Sequence, residues 1–194
     1  MKKICLFLAL ALLCAGAAFG QSGKKNALSV DVAPLFRGFV AGHDDDPEIK
    51  YLGAGVFYER LLGSRYSLGG RFDFIHGKYS LGPVEGDITY LAGSIHGRVY
   101  PLSQGLEKFY LDTGIGFNSI DIDVPAHNKK GGGMTFALQI GYKQFFNGMI
   151  FVEPSIAFVY AETISSTNTT LSFSGLRDPS PFEWTPGLLI GVSF

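Results

Sequence analysis

The sequence predicts an all-β protein, a closed eight-stranded up-and-down antiparallel transmembrane β-barrel. Three observations carry this. Beyond residue 26, eight segments alternate apolar and polar residues with a period of two. The connections between them alternate between short and long. An apolar leader of export type opens the chain.

The leader is residues 1–20, MKKICLFLALALLCAGAAFG. Lys2 and Lys3 precede an apolar run from Ile4 to Leu13, and small residues follow. Ala18 and Gly20 fit a small-x-small cleavage site, which puts the cut before Gln21. The run is short for a membrane-spanning helix. Leu13, before Cys14, is bulky where a lipoprotein signal wants a small residue. The expected organisation is therefore a signal peptide (1–20), a polar periplasmic lead (21–26) and a barrel domain (27–194). Both cysteines, Cys5 and Cys14, lie in the leader, so residues 21–194 have no disulfide and no thiol chemistry. Without Lys2 and Lys3 there remain 14 basic and 17 acidic residues, a net charge of −3 that offers nothing to nucleic acid.

The first segment, 27–41, sets Leu28, Val30, Val32, Pro34 and Phe36 on one face. The second, 50–61, sets Leu52, Ala54, Val56 and Tyr58. The third, 65–78, carries Tyr66, Leu68, Gly70, Phe72 and Phe74. The fourth, 88–100, carries Leu91, Gly93, Ile95, Gly97 and Val99. In the fifth, 108–119, the stripe is Phe109, Leu111, Thr113, Ile115 and Phe117. In the sixth, 134–145, it is Met134, Phe136, Leu138, Ile140 and Tyr142. The seventh, 149–161, has Ile150, Val152, Pro154, Ile156, Phe158 and Tyr160. The eighth ends in TPGLLIGVSF, with Trp184, Pro186, Leu188, Ile190, Val192 and Phe194 on one face. Segments of this length cross a bilayer when tilted.

Short connections (LLGSR, PLSQGLEK, FFNG) follow the second, fourth and sixth segments. Longer, polar ones (GHDDDPEI, YSLGPVEGD, IDIDVPAHNKKGGG, ETISSTNTTLSFSGLRDPSP) follow the first, third, fifth and seventh. That is a meander with tight turns at one end and long loops at the other, and both termini fall on the tight-turn side.

A soluble barrel would bury the apolar face, and a membrane barrel would expose it. The opposite face decides between them. It is rich in small residues with isolated charges of both signs, as a narrow interior requires, and poor in the lysines of a solvated sheet. Buried charges need partners. Asp31, Glu59, Asp73, Asp112, Glu153 and Glu183 can be set against Arg37, Arg71, Arg98 and Lys143, with His96 beside Arg98 as a proton-sensitive group. These residues are expected either to plug the lumen or to gate a narrow pore. Aromatics should form two girdles: Tyr58, Tyr66, Phe109, Tyr142 and Phe194 towards the short turns, and Phe36, Phe74, Phe117, Tyr160 and Trp184 towards the long loops. Pro34, Pro154 and Pro186 on the lipid face each lack a ladder donor, so bulges or bends are expected there.

Over 27–194 the chain resembles the small eight-stranded outer-membrane barrels of diderm bacteria, the OmpA/OmpX-like group. GRVYPL followed by KFYLDTGIGF, and IFVEPSIAF, are similar to the broad outer membrane protein β-barrel domain families. The resemblance implies an outer-membrane location, with lipid and lipopolysaccharide as surroundings. It also implies that Gly187, Leu188, Ile190, Val192 and Phe194 match the closing-strand signal read by the barrel-assembly machinery. It leaves the role open among a structural or surface-interacting protein with a host or environmental ligand at its loops, a narrow solute pore, and a lipid-modifying enzyme.

Catalysis finds little support in motifs. Lipid A deacylases of this shape use a histidine followed two positions later by serine. Two positions after His43, His76, His96 and His127 stand Asp45, Lys78, Arg98 and Lys129. There is no GxSxG, HExxH or P-loop. HDDDPE (43–48) lacks the spacing of a calcium loop, and GGG (131–133) reads as a flexible loop. HNKK (127–130) reads as a basic loop tip, and the sequon at Asn168 is formal only. The expectation is a non-enzymatic protein without cofactor or metal.

Overall fold

The structure, a computed structural model, describes residues 25–33, 48–81, 84–103, 105–124, 127–146, 148–165, 170–171 and 182–194. Its strands are β1 (Asn26–Asp31), β2 (Glu48–Leu61), β3 (Tyr66–Leu81), β4 (Val84–Val99), β5 (Lys108–Val124), β6 (His127–Phe146), β7 (Ile150–Ser165), β8 (Thr170–Leu171) and β9 (Phe182–Ser193). β1 to β7 pair with their neighbours in sequence, all antiparallel. β9 pairs with β7 on one edge and β1 on the other, which closes the sheet. The two residues of β8 extend the β7 ladder at Thr163 and Ile164, past the end of β9, so the wall has eight staves.

The stagger of this wall can be read from its register. Register partners lead from Asp31 through Gly55, Asp73, Ala92, Asn118 and Gly133 to Thr163 on β7. Across the seam, Asp31 leads through Leu189 to Glu153 on the same strand. The two arrivals differ by ten residues, a fixed shear that accompanies strand tilts of about 35–45°.

The alternation sorts as a membrane barrel requires. Leu52, Phe72, Phe74, Ile95, Leu111, Phe117, Phe136, Leu138, Ile156 and Trp184 are exposed on the outside. Ser29, Asp31, Phe57, Glu59, His96, Arg98, Tyr110, Asp112, Gln139, Lys143 and Glu153 are buried inside. On β5 the girdle rings Phe109 and Phe117 are eight residues apart, about 21 Å along the barrel axis at these tilts, which suits an apolar band about 25 Å tall. Phe36 lies outside the described residues.

Three expectations change. The strands run further towards the long-loop end than the alternation indicated. IDIDVPAHNKKGGG is almost wholly ladder: Asp121 pairs with Lys130, Asp123 with Asn128, Val124 with His127. Gly131, Gly132 and Gly133 are strand, paired to β5 on one side and β7 on the other. Backbone pairing on both edges overrides the weak strand propensity of glycine. Likewise Leu81 pairs with Val84, so on both sides of residues 82–83 YSLGPVEGD is ladder.

The second change concerns the prolines. The β6–β7 register is the same on both sides of Pro154, with no extra residue in either strand. The ladder merely skips from Gly141–Ser155 to Gln144–Val152. Even-numbered residues of β9 turn their backbone to β1, as the bond from Val32 N to Leu188 O (2.9 Å) shows. The nitrogen of Pro186 therefore faces the β1 edge, beyond Ala33, and its ladder to β7 through Ile156 is continuous. Each ring costs one donor on one edge rather than a bulge. Pro34 lies outside the described residues.

The third change is at the β4–β5 connection. PLSQGLEK does more than turn: Leu106 folds under the barrel and packs with Tyr100, Tyr110, Phe151 and Ala27 as a small apolar core, flanked by Leu61 and Phe145. Gly105 and Lys108, both at positive φ, let the connection fold back in this way.

Candidate functional site

The lumen is the only place where charged groups converge among the described residues. Two groups form there. Period two sends every second residue inward, and the register brings inward residues from adjacent staves to common levels.

The lower group, at the short-turn end, takes side chains from six strands. Glu59 of β2 accepts from Ser67 Oγ (2.5 Å) and Tyr100 OH (2.6 Å) on Oε1, and from Lys143 Nζ (2.5 Å) and Arg98 Nη1 (3.3 Å) on Oε2. Arg98 reaches on to Glu153 Oε1 (3.0 Å), and Lys143 to Glu153 Oε2 (3.3 Å). Tyr110 OH donates to Glu153 (2.7 Å) and accepts from Gln139 Nε2 (2.9 Å). Arg98 Nε donates to Asp112 Oδ2 (2.5 Å). The Arg98 guanidinium lies between the rings of Phe57 and Tyr110, 4.1 and 4.3 Å from their centroids. Lys143 sits 4.6 Å from the Phe151 ring. Desolvation of five such charges would be prohibitive singly; here each is ion-paired and hydrogen-bonded.

The other side of Asp112 holds a histidine. His96 Nδ1 lies 2.8 Å from Asp112 Oδ1, and His96 Nε2 lies 2.8 Å from Ser94 Oγ. An ionised carboxylate only accepts, so Nδ1 carries the hydrogen it shares with Asp112. The ring rests edge-on against Phe57 (5.5 Å).

The upper group is smaller. Arg71 Nε donates to Asp73 Oδ2 (2.8 Å), and its Nη2 donates to Asp31 Oδ2 (2.6 Å). Asp31 Oδ1 also accepts from Ala33 N (2.9 Å). Arg71 is the cross-strand partner of Ser94. Inward residues near and above this level are divided. Ile75, Tyr90, Ala92, Thr135, Ala157 and Val159 are half-buried, which leaves a partly open vestibule towards the long-loop end, whereas Asn118, Ile120 and Ile88 are buried along its β4–β5 wall.

Large inward side chains are matched by glycines on the next stave. Tyr110 lies over Gly141, Phe151 over Gly191 and His96 over Gly114, its cross-strand partners. A Cβ on Gly114 would stand 2.5 Å from the His96 ring.

Of the eleven charges read from the sequence as a lumen network, Glu59, His96, Arg98, Asp112, Lys143 and Glu153 meet in the lower group, and Asp31, Arg71 and Asp73 in the upper. Arg37 lies outside the described residues. Glu183 holds an inward register position opposite Val159, its side chain outside the description. Tyr100, Tyr110, Gln139, Ser67 and Ser94 were absent from that list because neutral donors carry no charge signal, although their period-two positions place them inside. In the closing strand, Gly187 faces inward against Ser155, Ile190 is exposed on the outer face, and the backbones of Phe194 and Asn26 exchange two hydrogen bonds of 2.9 Å. Among the described residues no cluster of three or more His, Cys, Asp or Glu is arranged to hold a metal ion.

No protein-family model matches the chain, and no curated protein does. Solved structures do. The outer membrane protein OprG from Pseudomonas aeruginosa is 14% identical, with a TM-score of 0.51, covering 90% of this chain and 98% of OprG. Ail, the attachment invasion locus protein of Yersinia pestis, solved in complex with the heparin analogue sucrose octasulfate, is 8% identical, with a TM-score of 0.50, covering 89% and 99% of the two chains. The N-terminal β-barrel domain of Pseudomonas aeruginosa OprF is 16% identical with a TM-score of 0.46, covering 89% and 100%. The chain has the fold of small outer-membrane barrels.

Proposed function

We propose that this protein is an exported outer-membrane barrel whose lumen is sealed against solutes and whose long-loop end meets the surroundings. The observation that carries this is the lower group: Glu59, Arg98, Lys143 and Glu153 are all but inaccessible to solvent and span the lumen above an apolar floor of Tyr100, Leu106 and Phe151. A conducting path needs water at every level, and these groups exclude it. On this reading residues 1–20 are a signal peptide, 21–26 a periplasmic lead, and the lumen charges a plug that holds the staves in register. Gly187, Leu188, Ile190, Val192 and Phe194 then serve as the closing-strand signal for the assembly machinery.

Binding falls to the loop end, where the β5–β6 hairpin continues seven residues past Phe117, roughly 18 Å at these tilts. It carries Lys130 paired with Asp121 (2.8 Å). The Ail structure holds a sulfated heparin analogue, so an anionic glycan or lipopolysaccharide is a fitting partner for such an end. Planar-bilayer recording of the refolded barrel tests the sealed lumen, and the expected result is no stepwise conductance. Channels that vanish on altering Arg98 would overturn the reading in favour of transport. Fractionation with outer membranes and heat-modifiable gel mobility test the location.

A further inference from the structure

We propose that Ser94, His96 and Asp112 form the catalytic relay of a carboxylic ester hydrolase on the floor of the vestibule, an activity beyond the sealed-barrel role and independent of it. The two ring nitrogens of His96 are used as such a relay uses them. Nε2 meets the Ser94 hydroxyl at 2.8 Å and Nδ1 meets Asp112 at 2.8 Å. The three residues are graded in exposure as that chemistry needs. His96 and Asp112 are buried, and Ser94 is half-buried at the level where the lumen opens.

The setting is built around them. The cross-strand partners of Ser94 and His96 on β5 are Gly116 and Gly114. A Cβ on Gly116 would stand 2.6 Å from Ser94 Cβ, and one on Gly114 would meet the imidazole. Asp112 is held from behind by Arg98 Nε, which leaves its other oxygen to the histidine. On the β3 side, Arg71 is the register partner of Ser94, and its guanidinium is turned away to Asp31 and Asp73.

The vestibule walls select the substrate class. Ile75, Ala92, Ala157 and Val159 supply the apolar part of the half-buried lining near Ser94, interleaved with Tyr90, Thr135 and the buried Asn118. An ester with a short apolar acyl chain fits this better than a charged one. In the first step Ser94 Oγ bonds to the carbonyl carbon while His96 Nε2 takes the hydroxyl proton. The carbon–oxygen bond to the leaving alcohol then breaks, and the alcohol departs with that proton. Water adds to the acyl-serine ester, giving its proton to His96. The carboxylic acid leaves, and the proton returns to Ser94. Ser94 and His96 are the catalytic residues; Asp112 positions the imidazole.

Motif searches pass over this arrangement. The serine stands two residues before the histidine, where the strand pleat puts both on one face, and the aspartate comes from the next stave.

The test uses the full barrel in lipid nanodiscs, with a fluorophosphonate probe for an activated serine and p-nitrophenyl butyrate as ester. Labelling should map to Ser94. Hydrolysis should fall by roughly a thousandfold or more, to background, in Ser94→Ala and in His96→Gln. Asp112→Asn should lower kcat with KM unchanged, which mere loosening of the wall would not do. Lys130→Ala, on the outside, should label like the parent. Heat-modifiable mobility reports that each variant is folded; where His96→Gln fails to fold, Ser94→Ala decides alone. A folded parent that does not label, labelling that persists in Ser94→Ala, or hydrolysis unchanged in that variant overturns the proposal.

Discussion

Lys143 and Glu153, low in the lumen, have side chains wholly withdrawn from solvent, whereas Arg71 and Asp73, higher up, each keep about a fifth of theirs exposed (21% and 20%). Both groups are ion-paired, so pairing is not what seals the barrel. The difference is ring volume. At the lower level Phe57, Tyr100, Tyr110 and Phe151 fill the space between the charges. At and above the upper level the staves contribute mostly smaller side chains, Ala92, Thr135, Ala157 and Asn118, with the Tyr90 ring half-buried among them. A closed wall of eight staves is just wide enough to be filled by side chains, so replacing four rings with mostly smaller residues changes a plug into a vestibule.

The largest expected effect comes from breaking the lower group. Arg98→Leu leaves Glu59, Asp112 and Glu153 short of their shared cation with no water to replace it, and should cost about 3–5 kcal/mol. Urea titration followed by heat-modifiable mobility would reveal it. Arg71→Leu removes the partner of Asp31 and Asp73 where solvent can reach, and about 1–3 kcal/mol is expected. If the two variants unfold at the same urea concentration, the distinction between sealed and open levels fails.

A glycine pair sharpens the comparison. Gly141→Ala drives a methyl into the Tyr110 ring, which is pinned by Glu153, Gln139 and Arg98, and should destabilise by about 1–3 kcal/mol. Gly55→Ala meets the end of the Asp73 side chain, which can swing into the vestibule, so it should unfold at a higher urea concentration than Gly141→Ala. The smallest effect belongs to Tyr100→Phe. Glu59 Oε1 keeps Ser67, and the loss should be about 0.5–1.5 kcal/mol in the same assay.

The barrel itself was legible in the residues. A strict period of two, sustained over each stave, leaves one face for lipid and one for the lumen, and the content of the second face tells which is which. Strand ends were less legible. Gly131–Gly133 and His127–Lys130 have loop composition, and only pairing with β5 makes them strand. The prolines misled for a related reason: each strand edge is judged separately, and sequence does not tell which edge a given nitrogen faces. The lumen charges were readable as a set, yet their division into two groups was not, because it follows from the stagger of the staves.

By itself, then, the sequence determined strand count, inside and outside, and the need for the inward charges to pair, since these depend on period and composition alone. The tertiary structure decided which charges meet, that the plug occupies one end only, and that Ser94, His96 and Asp112 share hydrogen bonds. Those outcomes depend on a shear of ten residues round a closed sheet, which brings residues 84 positions apart on non-adjacent staves, Glu59 of β2 and Lys143 of β6, into contact and is written in no single stave.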